Sequence, residues 1–309
     1  MVKKITAKPN ALSSSGHKLG QVIGDWWEIR VIYPLLLEVA ESLNLFLDNR
    51  IVERICRSEK VQWADIDDNF VDYDFVFELG GTLTEKGIPV AFLESFWRRG
   101  ARHSKDKARD DTNKLLPMRE TYPTARFLAI AACGEFTSPA REYVRSRSVE
   151  LLLIPKEKII EAFKSIEITI DYPDNLPELE KNVLAYDLEL KFTEEAQIVA
   201  AKNLKNIVGH SAFNSFKQRI ESSLKAQPQE IRIYSLSKSE AVVFDCIAQA
   251  SEFLISDTPI FPSDNSSIQY EYEVTFSDGT EFSRSVFSID EARMINEQLL
   301  TLVNHISLL

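Results

Sequence analysis

Two acidic residues and a dense run of cations carry the most chemistry in this chain. Within VDYDFVFELGGTLTEKGIPVAFLESFWRRGARHSKDKAR, residues 71–109, Asp74 and Glu94 stand in two segments that alternate apolar and polar. Arg98, Arg99, Arg102, His103, Lys105, Lys107 and Arg109 follow at once. Carboxylates held side by side on a sheet form an oxygen platform for a hard divalent cation. Cations beside that platform form a surface for phosphate.

The elements that must position these groups follow from periodicity. Asp72–Leu79 and Ile88–Trp97 read as strands joined by a turn after Gly80-Gly81, with Pro89 at the start of the second, where a missing N–H is tolerated. A turn centred on Thr84 makes facing residues sum to 168, so Asp74 opposes Glu94 and Asp72 opposes Phe96. Period two then puts Asp72, Asp74, Val90, Phe92, Glu94 and Phe96 on one face. Residues 103–121 read as a helix that displays the cations. Upstream, residues 21–47 have helical spacing, with Pro34 expected to bend or split the helix. Residues 48–56 read as a further short helix and Trp63–Ile66 as a first strand. Downstream, Arg126–Cys133 and Val149–Ile154 read as buried strands, each followed by a helix.

The 309 residues include 36 Lys+Arg and 47 Asp+Glu, a net charge of −11 that argues against nucleic acid as a partner. The distribution of that charge argues the other way for half of the chain. Residues 171–309 hold 11 cations against 22 acids, whereas residues 1–170 hold 25 of each. Screening confines each field to about 10 Å, so a local basic face still attracts a polyanion. Cys56, Cys133 and Cys246 show neither metal-ligand nor disulfide spacing, which favours a cytoplasmic location. No apolar run reaches the ~18 residues that span a bilayer, so no membrane partner is expected.

At the paired strands and the basic helix the chain resembles the PD-(D/E)xK nuclease superfamily, over about residues 20–165. That resemblance implies an α/β fold, a restriction-endonuclease-like mixed sheet flanked by helices. It also implies Mg²⁺ held by Asp74 (with Asp72 as a rival) and Glu94, by the backbone carbonyl of Ser95, and by Glu28 on the first helix. The family places a lysine two residues after the second acid to activate water. Here Phe96 stands there, which leaves Lys105 or Lys107 as the candidate base. The implied activity is a Mg²⁺-dependent DNA endonuclease hydrolysing phosphodiester bonds, with DNA as partner and a homodimer as assembly. The alternative is a catalytically degenerate nuclease fold that binds nucleic acid or protein. Structurally plainer readings make Asp74 and Glu94 solvent-side residues, and the cations a solvated helix face.

The organisation expected is a flexible arm over 1–19, the nuclease-like domain over 20–170, and a smaller acidic α+β C-terminal domain over 171–309. The last reads as a strand, a helix capped by Ser237 and Glu240, a hairpin around Ser277-Asp278-Gly279, and a final helix.

Overall fold

The computed structural model describes residues 15–235, 241–256 and 269–309, so most of the expected arm and the Ser237–Glu240 cap lie outside the described residues. Residues 15–19 belong to the first helix, α1 (Ser15–Trp26). A π-helical segment, Trp27–Ile32, joins it to α2 (Tyr33–Ser42). Leu19, Val22, Ile23 and Trp26 recur at helical spacing and are buried. Pro34, which lacks the N–H a helix interior needs, sits where π winding returns to α winding.

β1 (Phe46–Asn49) follows, and residues 48–56, expected to be helical, are the end of this strand and then turns and irregular chain instead. Arg54 explains why that loop holds its shape. Its buried guanidinium lies 2.8 Å from Asp48 and 2.5 Å from Glu78, and its Nε donates to the Thr82 carbonyl at 2.8 Å.

The strand expected over 72–79 is two elements. β2 (Val61–Ala64) and β3 (Phe70–Tyr73) pair as a separate antiparallel ribbon, and the chain bends at Asp74 before β4 (Phe75–Leu79). β5 (Ile88–Arg98), α3 (Ser104–Thr121), β6 (Phe127–Gly134), α4 (Ser138–Ser146), β7 (Glu150–Pro155) and α5 (Lys156–Lys164) complete the first layer set. The sheet order is β1-β4-β5-β6-β7, antiparallel up to β5 and parallel from β5 to β7. It is a mixed sheet with helices on both faces. Gly134 ends β6 at φ +108°, so close to the Arg98 carbonyl that a Cβ would collide with it.

One face of the sheet, including Phe75, Phe77, Leu93 and Trp97, packs against α1, α2 and α5. The other, including Val76, Phe92, Phe96 and Ile130, packs against α3, α4 and the ribbon. α6 (Glu178–Lys191), α7 (Glu194–Val208) and α8 (His210–Leu224) continue the first of these cores through Leu188, Phe192, Leu204, Phe213 and Phe216. The core therefore changes at about Ala226, not at the proline-rich stretch near residue 172.

Beyond it, β8 (Pro228–Ser235), β9 (Ala241–Phe244), β10 (Tyr270–Phe276) and β11 (Glu281–Val286) form an antiparallel sheet of order β11-β10-β8-β9. α9 (Ile247–Ile255) and α10 (Ile289–Ile306) cover it. The hairpin and final helix fall where expected, whereas β9 occupies residues expected to be helical. α10 also returns to the first core: Leu302 is buried there, and His305 Nε2 lies 2.7 Å from the Leu43 carbonyl.

Candidate metal and phosphate site

The register of the central hairpin brings the first two acids together. Phe75 faces Leu93, Val76 faces Phe92 and Phe77 faces Ala91, each pair summing to 168; a bulge then shifts Glu78 onto Pro89. One residue before β4, Asp74 reaches across to the neighbouring strand, where its Oδ2 accepts a hydrogen bond from the Ser95 backbone N at 2.7 Å. Asp72 is not a rival. It belongs to the ribbon, faces Gln62 and pairs with Lys60 at 3.1 Å. The bulge also moves Val90 into the opposite core from Phe92.

Glu94 is 3% exposed, and its Oε1 lies 2.7 Å from Lys114 Nζ. Burial pushes its carboxyl well above the usual range; the Asp74 charge adds to this and Lys114 opposes it. Glu28, in the π-helical segment, is equally buried. Both its oxygens accept from Arg50, the Nε bond being 2.6 Å. Burial first, then Asp74, raises its pKa to about 7 against the pull of Arg50. A fourth acid joins them. Asp111 on α3 is buried, takes Lys107 Nζ at 2.5 Å, and is raised by burial against the opposing charges of Lys107 and Lys114. The Asp74 charge acts on Glu28, Glu94 and Asp111 alike.

Lys107, Asp111 and Lys114 recur at i, i+4 and i+7, a single stripe on α3. They flank the buried Ala108, Thr112 and Leu115, which seat the helix on the sheet. Phe96, at the position expected for a lysine, is 8% exposed, stacks on Phe136 at 5.9 Å and lies beneath Lys107 at 5.3 Å. The cation at Glu94 thus comes from the helix. Lys105 is exposed and lies off that stripe. Nothing in the strand pattern marks Lys114 or Asp111; the signal that does is a charged stripe adjoining the apolar face of α3.

The cations divide. Arg99 is committed elsewhere: it donates to the Tyr172 carbonyl at 2.8 Å, pairs with Asp174 and stacks over the Tyr172 ring at 4.2 Å. Its guanidinium is turned towards the loop of Tyr172 and Asp174. Arg102, Lys105 and Arg109 are exposed, the last 3.4 Å from Asp106. Arg98 is half-buried, and its Nε has no hydrogen-bond partner. The His103 side chain lies outside the described residues.

Among the described residues, no group of three or more His, Cys, Asp or Glu side chains is arranged to enclose a metal ion. The reason is visible in the pairs above: Glu28 is drawn to Arg50, Glu94 to Lys114 and Asp111 to Lys107. The donor chemistry nevertheless suits a hard cation, since every candidate ligand is an oxygen. Ser95 Oγ and Asp111 Oδ2, both buried, have no hydrogen-bond partner. Buried oxygens rarely remain so in a purely structural cluster. Compared with known proteins, the chain matches no family model, no curated protein and no solved structure. No described helix is long and apolar enough to cross a membrane.

Proposed function

We propose that this chain is a restriction-endonuclease-like, Mg²⁺-dependent phosphodiester hydrolase acting on DNA. The observation that carries this reading is the reach of Asp74 onto Ser95, beside a buried Glu94 that has a lysine amine against its carboxylate. Asp74 and Glu94, with the Ser95 carbonyl and Glu28, are the residues that would hold the ion. When bound, Mg²⁺ lowers the pKa of water and stabilises charge on the departing oxygen. The chain itself supplies the rest. Lys114, oriented by Glu94, holds and orients a water, the role that Phe96 cannot fill. Lys107 is the second amine on the same stripe. Arg102, Lys105 and Arg109, all exposed, would meet backbone phosphates. DNA as partner and a homodimeric assembly belong to the same proposal.

Supercoiled DNA incubated with the protein should be nicked in Mg²⁺ and left intact in EDTA, and Glu94→Ala should abolish nicking. Cutting that persists in a clean Glu94→Ala preparation refutes the assignment. A second reading has its own support, because three of the four carboxylates already hold a cation. In that reading the fold is a degenerate nuclease that binds nucleic acid or protein. It predicts salt-sensitive DNA binding with no cleavage in Mg²⁺ or Mn²⁺.

A further inference from the structure

A separate cleft of about 860 Å³ opens where β6 and β7 begin, bounded by α8 and by the hairpin turn between β10 and β11. It shares no lining residue with the acid cluster. Its distinguishing feature is arginine: Arg119, Arg126, Arg145 and Arg219 all line it. Two are matched by carboxylates, Arg219 to Glu150 at 2.7 Å and Arg126 to Asp278 at 3.1 Å. Arg119 and Arg145 have no carboxylate partner among the described residues; Arg119 donates to the Ser148 carbonyl at 2.8 Å.

Arg126 is the anomaly. Its side chain is 5% exposed, its guanidinium lies 3.3 Å from the centre of the Phe276 ring, and its Nε is buried without a hydrogen-bond partner. A buried guanidinium normally has its donors satisfied, because an unpaired charged donor is costly to bury. Burial pushes Arg126 down to about 10 despite the opposing pull of Asp278, and the charge of Arg119 pushes the same way. The lining sets four arginines against two carboxylates, Glu150 and Glu281, and Arg126 is held by Asp278 and Thr280 through Nη2.

We propose that this cleft binds a phosphate-bearing ligand, with Arg119, Arg126 and Arg145 as its oxyanion contacts. A phosphate offers several acceptor oxygens at once, which suits guanidinium forks better than a single carboxylate does. The volume fits a group of nucleotide size. The phosphate comes either from a free nucleotide or from the backbone of a strand. Because Asp278 lies on the C-terminal hairpin, the ligand would compete with it for Arg126 and so act on the join between the two sheets.

The test is calorimetric titration of the full-length protein with pyrophosphate, with ADP and with a short single-stranded oligonucleotide. Arg145→Ala, at an exposed position, should weaken binding about tenfold. Asp278→Asn, which frees Arg126 of its competitor, should strengthen it by roughly the same factor. ADP binding without oligonucleotide binding assigns the ligand as a nucleotide, and the converse assigns it as a strand; either supports the site. No binding of any of the three at millimolar concentration overturns the proposal. Binding indifferent to both Arg145→Ala and Asp278→Asn overturns it equally.

Discussion

At the scale of single residues, the lysine absent from the strand decides most. A water-activating group must lie within hydrogen-bond reach of the reacting atoms, and the amine closest to Glu94 is that of Lys114. Lys114→Met should therefore lower nicking by about 10²–10⁴-fold, while Lys105→Ala, off the stripe, should weaken DNA affinity without that loss. The two are separated by single-turnover rates at saturating DNA. Equal losses in both variants would return Lys105 to the catalytic role. Asp74 and Glu94 are legible in the sequence because period two is a local rule, and the sum-to-168 register needs only a turn centre. Lys114 and Asp111 are not, because a charged residue beside a helix's apolar stripe looks like any solvent-facing residue until the helix is docked. The commitment of Arg99 is hidden for a similar reason: its partners, Tyr172 and Asp174, lie more than seventy positions away.

At the scale of elements, the π-helical segment matters most, because it carries Glu28 to Arg50, just after β1. π-helical turns concentrate where a side chain must be re-aimed. Glu28 has a folded pKa of about 7 against 4.5 for an ordinary glutamate, so between those values the folded chain holds a proton that the unfolded chain has released. Stability from this group is accordingly greatest below 4.5 and declines as pH rises through 7. In EDTA the wild type should lose at most about 3 kcal/mol from this source between pH 5 and pH 8. Glu28→Gln should flatten that part of the profile. Parallel denaturant titrations at the two pH values read the difference, and an unchanged slope in the variant would show that Glu28 is ionised throughout. Element types are mostly legible from periodicity. The bulge at Phe77/Glu78 and the break at Asp74 are not, since both depend on which strand the chain pairs with next.

At the scale of the whole molecule, the proline-rich stretch near residue 172 looks like a boundary, yet the buried core runs on through it. Prolines mark where regular structure stops, whereas a domain ends where its core ends. α6, α7 and α8 place Leu188, Phe192, Leu204, Phe213, Phe216 and Ile220 in the first core. Without them the apolar faces of α1, α5 and α2 that they cover are exposed, and losing burial at roughly 1.5–3 kcal/mol per side chain would consume the 5–15 kcal/mol that holds a typical domain together. A fragment ending at residue 170 should therefore lack a cooperative melt, while one ending at residue 226 should retain one. Calorimetry of the two fragments checks this, and a sharp transition in the shorter one would put the boundary back at the prolines.

The return of α10 to the opening helices has a consequence for how the polypeptide matures. Leu302 and His305, some 260 positions downstream of Leu43, supply contacts that the growing chain does not have while it is still being made. During translation the α2 end of the first core waits, partly uncovered, until α10 has emerged from the ribosome.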